Sequence, residues 1–216
     1  MNGGNRLSPI PQILSLLKSM YPGAVSALDF SNPYEMLVAT MLSAQSTDKQ
    51  VNKVTPHVFR DFPTVEAMAS TSPEILLPYV QSCGFRSKAT NIVLTARKIM
   101  SDFGGQVPRT MEELTSLPGV GRKTANVVMA NAFGIPTIAV DTHVFRVGNR
   151  LGLADASTVE KTEQHLMQNI PRSDWIDAHH WLIHHGREIC KAQRPLCAVC
   201  RLSPLCKYYN RQSKQK

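Results

Sequence analysis

Hydrophobic residues recur along this chain mostly at the three- and four-residue spacing of an amphipathic helix. In residues 33–44, for example, Met36, Leu37, Thr40 and Met41 fall on one helical face. The same spacing predicts further helices over residues 73–81, 89–100, 123–133, 143–151, 158–169 and 174–190. Runs with the two-residue alternation of a β-strand are short and isolated, and glycines and prolines separate the helical segments. The sequence therefore predicts an all-α fold.

The length and charge of the chain restrict the classes of protein it can belong to. With 216 residues, of which 43% are hydrophobic, it can form one large domain or two small lobes around a real core. Its net charge of +8 favours a polyanionic partner, either nucleic acid or an anionic membrane face. No stretch approaches the ~20 consecutive apolar residues that span a bilayer, and the amino terminus lacks the features of a secretory signal. We therefore expect a cytoplasmic protein without a membrane segment.

Four of the five cysteines are concentrated near the carboxyl end: Cys190, Cys197, Cys200 and Cys206, with the spacing C-x6-C-x2-C-x5-C. Four thiolates suit either a structural zinc ion or a [4Fe–4S] cluster, and the spacing does not choose between them. A set of buried or unpaired thiols is the less favoured alternative. A disulfide framework would more often spread an even number of cysteines along the chain. The sequence therefore predicts a four-cysteine metal site.

Basic residues alternate with these cysteines, namely Lys191, Arg194, Arg201 and Lys207. A basic loop whose shape is fixed by a metal site could contact DNA phosphates. Charges that merely solvate an exposed loop explain the same pattern. For each of these residues the sequence leaves both interpretations open.

Residues 117–128, LPGVGRKTANVV, combine a glycine turn with the start of a helix. Gly119 and Gly121 permit a positive φ and the close approach of another backbone. The first N–H groups and the dipole of the following helix favour a bound phosphate. The segment lacks the glycine spacing and the preceding strand of a nucleotide-binding P-loop. The alternative is a helix–turn–helix whose glycines serve only the turn.

Lys123 and Asp141 are the candidate reactive residues, and each has a simpler explanation. Lys123 lies in the first turn of its predicted helix, where the helix dipole and any burial would lower the pKa of the amine and free a nucleophile. An exposed lysine that contacts phosphate is the competing interpretation, and the isolated sequence favours it. Asp141 follows the apolar residues 138–140 at an obvious N-cap position, so capping alone would account for it. Spacing alone does not bring the two residues together.

These segments together resemble endonuclease III, the iron–sulfur branch of the helix–hairpin–helix DNA glycosylases. The resemblance rests on LPGVGRKTANVV, on AVDTHVFRV at residues 139–147, on LSAQSTD at residues 42–48 and on the cysteine spacing. It extends from about Leu14 to Cys206, which is nearly the whole chain.

The resemblance implies two helical lobes with the active cleft between them. A six-helix domain at residues 24–135 would hold the helix–hairpin–helix, and residues 1–23 and 136–216 would form a domain that binds a [4Fe–4S] cluster. The implied activity is that of a bifunctional DNA glycosylase/AP lyase of base excision repair. Its substrate would be double-stranded DNA with damaged, oxidised pyrimidines or abasic sites. We further expect a monomer, associated with the nucleoid in the cytoplasm.

The resemblance also implies roles for individual residues. Lys123 would be the nucleophile that attacks C1′ of the damaged nucleoside, and Asp141 would stabilise the positive charge that develops on the sugar. Gln45 would fill the gap left when the nucleotide is extruded from the stack. Gly119 and Gly121 would present backbone N–H groups to a phosphate.

The loop at residues 82–88 departs from the family pattern, which often has a bulky aliphatic residue there to wedge the opposite strand. This chain has Gly84 or Phe85 at that position, depending on the alignment. Phe85 could act as the wedge by stacking, whereas the preference for the opposite base is left open.

The histidine-rich segment at residues 179–185, HHWLIHH, suggests a second metal site because His180 and His184 share a helical face. The resemblance includes a similar helix that binds no metal. Packing and hydrogen bonding towards the cluster are therefore the favoured explanation.

Three other functions fit part of the pattern. The adenine glycosylase branch shares the hairpin and the cluster but lacks the nucleophilic lysine and has an extra carboxyl-terminal domain. A non-catalytic DNA-binding protein would not need both Lys123 and Asp141. A small electron-transfer protein would leave the basic charge and the hairpin unexplained.

Overall fold

The computed structural model of the protein describes residues 8–213, and the helices in that range confirm the all-α fold. No β-strand occurs among these residues, and none of their helices is long and apolar enough to cross a membrane. The expectation about a secretory signal concerns the amino terminus, whose first seven residues lie outside the described range. The helices are α1 (Ile10–Met20), α2 (Pro33–Ser43), α3 (Asp48–Asp61), α4 (Val65–Ser70), α5 (Pro73–Val80), α6 (Ser87–Asp102), α7 (Met111–Thr115), α8 (Arg122–Phe133), α9 (Thr142–Leu151), α10 (Val159–Asn169), α11 (Trp175–Glu188) and α12 (Lys207–Ser213).

The helices predicted from the hydrophobic pattern are all present, within one or two residues of the expected ends. The pattern did not single out α1, α3, α4, α7 or α12. Helices α4 and α7 have only 6 and 5 residues, which is too short for the pattern to repeat. Helix α3 carries Pro56 in its interior, a residue that usually ends a helix.

Local side-chain chemistry fixes where the helices begin. At the start of α2, the Asn32 side chain accepts a hydrogen bond from the Glu35 N–H at 3.0 Å. The Glu35 carboxylate in turn accepts one from the Ser31 N–H at 2.7 Å. Such reciprocal capping satisfies N–H groups that have no partner within the helix.

One compact unit spans Ser26–Thr137 and has α2 in its core. Helix α2 is buried almost all round, because α3, α6 and α8 pack against it. The sequence predicts a single hydrophobic face for residues 33–44, but the helix is buried on nearly all sides. Helix α2 is therefore a central helix. Helix α6 packs against α4 and α5 in the same unit.

The other compact unit combines the described residues 8–25 with residues 138–213. Here α9 packs against α10, α11 and α12, and α1 packs against α11. Helices α9 and α11 approach closely at Gly186, where a Cβ atom would lie 2.9 Å from Nδ1 of His143. The resemblance implies domain boundaries after residues 23 and 135, and the compact units divide after Val25 and Thr137.

Candidate active site

The turn between α7 and α8 is a tight hairpin held by apolar side chains. Leu117 and Val120 are buried, and the Val120 N–H donates to the Leu117 carbonyl at 3.1 Å. Gly119 has a φ of +75°, and a Cβ atom there would lie 2.6 Å from Nδ2 of Asn91 on α6. Glycine is therefore required at this position both by the backbone conformation and by the close neighbour.

Gly121 does not share these features, which corrects the expectation for the second glycine of the hairpin. It is the N-cap of α8 with a φ of −93°, and a Cβ atom there would meet nothing within 4 Å. Its backbone conformation is open to other residues. The required glycine of the hairpin is Gly119.

Helix α8 begins without the side-chain caps found at α2 and α7. Gly121 offers no side chain to accept a hydrogen bond, and the first turn contains no acidic residue. Because the N-cap supplies neither a carboxylate nor a hydroxyl, the start of this helix is a setting that favours an anion such as a phosphate. Lys123 lies in this turn with an exposed side chain, so the burial considered from the sequence is absent.

Asp141 is the N-cap of α9 in the second compact unit, as its position in the sequence predicts. Its Oδ1 atom accepts a hydrogen bond from the Val144 N–H at 2.8 Å. The preceding residues Ile138, Ala139 and Val140 are buried and anchor the chain in the core. The carboxylate is partly exposed. Lys123 belongs to the unit Ser26–Thr137, and Asp141 belongs to the other unit.

Three of the residues predicted to contact DNA line one pocket in the unit Ser26–Thr137. Gln45, Phe85 and Gly119 surround a space of about 180 Å³, together with side chains of α2 and α6. Gln45 has a positive φ of 57°, which is uncommon for a residue other than glycine. The side chain of Phe85 is 66% exposed, so it is free to meet a partner. The structure thus gathers three segments that are far apart in the sequence.

Helix α6 supports these segments, and sequence reasoning missed its contribution. Lys88 at its first turn is buried and also lines the pocket. One turn later Asn91 packs against Gly119, and the Thr95 hydroxyl donates to the Pro118 carbonyl at 2.7 Å. One feature of the sequence could have revealed this role. Lys88 lies four residues before the apolar Ile92, so it is a cation on the apolar face of the helix.

The four carboxyl-terminal cysteines are brought near one another. Cys190 follows the end of α11, Cys197 begins a 3₁₀ turn that ends before Cys200, and Cys206 immediately precedes α12. Burial raises the pKa of the Cys197 and Cys206 thiols, and negative charge on Cys190 and Cys200 raises both further. Among residues 8–213, no group of three or more potential ligands has the geometry to hold a metal ion.

The donor set nevertheless has the chemistry of a thiolate metal site. An Arg150 guanidinium nitrogen lies 3.5 Å from Cys190 Sγ, and the same side chain donates to the Lys191 and Ala192 carbonyls. Its positive charge partly offsets the effects that raise the pKa of the Cys197 thiol. Four cysteines within electrostatic range of one another supply the donor atoms of the four-cysteine site that the sequence predicts.

Lys191 and Arg194 have exposed side chains on the loop between Cys190 and Cys197. The Lys191 carbonyl accepts a hydrogen bond of 2.7 Å from Arg150, so the backbone there is anchored while the side chain is not buried. Arg194 has a φ of 49°, in the left-handed region. Their contact with DNA remains a prediction.

Three of the four histidines of α11 are buried, and the fourth, His184, is partly exposed beside Glu188. His179 and His180 are buried, and Nδ1 of His179 lies 2.8 Å from the Ala139 carbonyl oxygen. Burial, with a smaller effect of neighbouring His179 and His184, lowers the pKa of His180 to about 3. Burial lowers the pKa of His185 to about 4, and its ring lies between the Tyr21 hydroxyl at 3.0 Å and Cys200 Sγ at 3.7 Å. Packing and hydrogen bonding thus account for the three buried rings.

Comparison with known proteins agrees with this arrangement. The chain matches the model of the HhH-GPD superfamily, described as base excision DNA repair protein, over residues 38–172. It is 49% identical over 197 residues to endonuclease III of Synechocystis sp., an alignment that covers 90% of each protein.

Two solved structures of endonuclease III are similar over nearly the whole chain. A non-covalent complex with DNA has a TM-score of 0.89 at 43% identity, covering 95% of this chain and 97% of that one. A trapped covalent intermediate with DNA has a TM-score of 0.88 at 43% identity, covering 94% and 98%. The chain therefore belongs to the HhH-GPD superfamily of base excision DNA repair proteins, within its endonuclease III family of DNA glycosylase/AP lyases.

Proposed function

We propose that the chain excises oxidised pyrimidines from duplex DNA through a Schiff base on Lys123 and then nicks the strand at the abasic site. The observation that carries this proposal is the exposed amine of Lys123 in the first turn of α8, directly after the hairpin and a glycine N-cap. A phosphate bound by the N–H groups of that turn would hold the DNA backbone beside the amine. One of the similar structures is a trapped covalent intermediate of endonuclease III with DNA, and this likeness supports a covalent route.

The reaction begins with nucleophilic attack by the neutral amine of Lys123. The amine nitrogen forms a bond to C1′ as the glycosidic bond breaks, and the base leaves with the electron pair and takes up a proton. The C1′–O4′ bond then breaks, O4′ takes a proton from the amine nitrogen, and the open-chain imine results. The imine draws electrons from C2′, so that the C2′ proton is removed and the 3′ phosphate leaves by β-elimination. Water finally hydrolyses the imine and restores the amine.

Asp141 supplies the negative charge that this pathway needs. Positive charge develops on the sugar as the base departs, and a carboxylate stabilises such charge without protonating the amine. The N-cap hydrogen bond from the Val144 N–H to Oδ1 fixes the carboxylate relative to α9. Asp141 thus caps α9 and at the same time supplies a negative charge in a fixed orientation.

The DNA contacts follow from the pocket and from the basic loop. Gln45 and Phe85 would enter the duplex where the nucleotide is extruded, because a glycosidic carbon cannot be reached within the stack. The backbone N–H groups at Gly119 and Gly121 would bind phosphate. We propose a monomer on nucleoid DNA in the cytoplasm, since the substrate is found there.

We assign a [4Fe–4S] cluster, rather than zinc, to Cys190, Cys197, Cys200 and Cys206. The spacing matches the iron–sulfur branch of the family, and the thiols interact electrostatically. When bound, the cluster would supply a covalent cross-link among four points of the loop. The chain's own contribution is the anchoring of that loop by Arg150, which bonds the Lys191 carbonyl. The exposed side chains of Lys191 and Arg194 would then meet DNA phosphates.

The test is covalent trapping with borohydride on duplexes that contain thymine glycol or a preformed abasic site. Lys123→Gln should abolish trapping and nicking on both substrates, because the amide keeps a similar shape without a nucleophilic amine. Lys161→Gln is the matched control, since Lys161 is also exposed in the first turn of a helix, α10. If Lys123→Gln still trapped on the abasic site, another amine would be the nucleophile and the proposal would fail.

A further inference from the structure

The proposed reaction leaves one buried cation without a role. Lys88 is 9% exposed and lies on the face of α6 that carries Ile92 and Thr95 into the core. Its Nζ atom donates hydrogen bonds to the carbonyls of Leu42, at 2.7 Å, and of Ala44 and Cys83. An ammonium group has three N–H donors. All three of them are therefore used by backbone oxygens.

Two of these carbonyls lie at the carboxyl end of α2, where backbone oxygens have no partner within the helix. The negative end of the helix dipole makes this a favourable place for a cation. The third carbonyl, from Cys83, ends the 3₁₀ turn that leads into Gly84 and Phe85. One ammonium group therefore joins the turn after α2 to the turn before α6.

Burial of the Lys88 ammonium group costs free energy unless hydrogen-bond acceptors replace the water that it loses. Desolvation lowers the pKa of Lys88, since removal of a charge from water disfavours the charged form. A side chain that served only to fill the core would be apolar at this position. The three carbonyls thus point to a requirement for the positive charge itself.

The two turns that Lys88 joins carry the residues that would enter the duplex. Gln45 directly follows Ala44 and is held at a φ of 57°. Phe85 follows Gly84 and is exposed, and both side chains line the pocket together with Lys88. The same loop is also joined to α3 by a solvent-exposed hydrogen bond from Gln50 Nε2 to Ser82 Oγ at 2.8 Å.

We propose that Lys88 is a positioning residue that ties the Gln45 turn to the Phe85 turn, so that both side chains enter damaged DNA as one preassembled wedge. The inference rests on the proposed function, because it takes Gln45 and Phe85 to be DNA contacts. Fixing both turns before binding removes the cost of ordering them on DNA. Lys88 itself touches neither the sugar nor the damaged base.

The first test compares Lys88→Met with Lys98→Met. Both residues lie on α6, and Lys98 forms an exposed ion pair with Asp102, so the two variants lose the same charge from the same helix. The probe is duplex DNA with a tetrahydrofuran abasic analogue opposite 2-aminopurine. In Lys88→Met the preference for this duplex over undamaged duplex should fall about tenfold, and the rise in 2-aminopurine fluorescence should shrink. Lys98→Met should match the unaltered protein, and equal behaviour of the two variants would overturn the assignment.

Chemical rescue separates positioning from a purely structural role. Lys88→Ala leaves space for n-propylammonium, which restores the missing cation, whereas 1-propanol restores only the volume. We expect propylammonium to restore both the stability of the protein and the rise in 2-aminopurine fluorescence. Propanol should restore neither of them. If Lys88→Ala folds only with propylammonium, the same measurements are made in its presence. Recovery of stability without recovery of abasic-site preference would show Lys88 to be merely structural and would refute the proposal.

The outcome for Lys88 is independent of the outcome for Lys123. Both Lys88 variants retain the Lys123 amine, so at saturating protein they should still trap on a preformed abasic site. Failure of the unaltered protein to trap would remove the proposed function. A normal abasic-site preference in Lys88→Met would remove only the positioning role.

Discussion

The unit Ser26–Thr137 and the loop at residues 189–206 hold their functional residues by different physical means. In the first, α2 is buried nearly all round, and α6 fixes the hairpin and both neighbouring turns. In the loop, only two 3₁₀ turns occur, at Cys197–Val199 and Ser203–Leu205. The side chain of Val199 in that loop is 70% exposed.

The first region is stabilised by apolar burial, whereas the loop depends on a bound metal for its stability. Apolar burial in the first region requires no ligand, because the hydrophobic side chains are part of the sequence. The loop buries few large apolar side chains, and four thiols and Arg150 take the place of a core. A cross-link through the thiols would then contribute folding free energy directly. The first region should tolerate loss of the cluster, and the loop should not.

The largest effect is expected when a cluster ligand is removed. Cys197→Ser should lose visible absorbance and iron and destabilise the loop on the order of several kcal/mol, because the remaining thiols cannot close the cross-link. Hydrogen exchange should rise across residues 189–206 and stay unchanged in Ser26–Thr137. Cys83→Ser, at the buried cysteine of the other region, should keep its full iron content. Unchanged exchange in the loop of Cys197→Ser would contradict the comparison.

The next largest effect is expected on the rate of base excision, with the fold retained. Asp141→Asn should slow base excision about 10²- to 10³-fold, because the amide can still cap α9 but has no charge to stabilise the sugar cation. Single-turnover excision of thymine glycol measures the rate, and circular dichroism measures the helix content. Thr158→Asn alters the N-cap of α10 in the same unit and should leave excision intact. A normal rate in Asp141→Asn would reduce Asp141 to a structural cap.

The two hairpin glycines provide a smaller and internally controlled test of the first region. Gly119→Ala should destabilise the protein by about 1–3 kcal/mol, because alanine is strained at a φ of +75° and would collide with Asn91. Gly121→Ala should cost less, about 0.5–1 kcal/mol, because a φ of −93° suits alanine and only the N-cap preference for glycine is lost. Urea unfolding of both variants measures these values. Equal losses of unfolding free energy in the two variants would contradict the requirement for glycine at position 119 alone.

The smallest effect is expected at the exposed basic residues of the loop. Lys191→Gln and Arg194→Asn should each reduce the slope of log affinity against log salt by about 1, because each loses one phosphate contact. Asparagine is chosen at Arg194 because it tolerates the left-handed backbone there. The preference for damaged over undamaged DNA should not change. A salt slope equal to that of the unaltered protein would place both side chains away from DNA.

Local interactions explain how much of the fold could be predicted from sequence. Helix periodicity, the N-cap at Asp141 and the cysteine spacing depend on residues close together in the chain, and the structure contains each of them. Periodicity failed to show that α2 is buried on all sides, because burial depends on helices from distant segments. It also treated Gly119 and Gly121 alike, although only Gly119 packs against Asn91.

The sequence by itself determined the helical class, the family and the residues whose chemistry suits a lysine nucleophile and a thiolate cluster. Only the tertiary structure brought Gln45, Phe85 and Gly119 to one pocket and placed the ammonium of Lys88 on carbonyls from two turns. The physical reason is that propensity, capping and spacing act over a few residues. The partners of a buried charge are set by chain segments that meet only when the core forms.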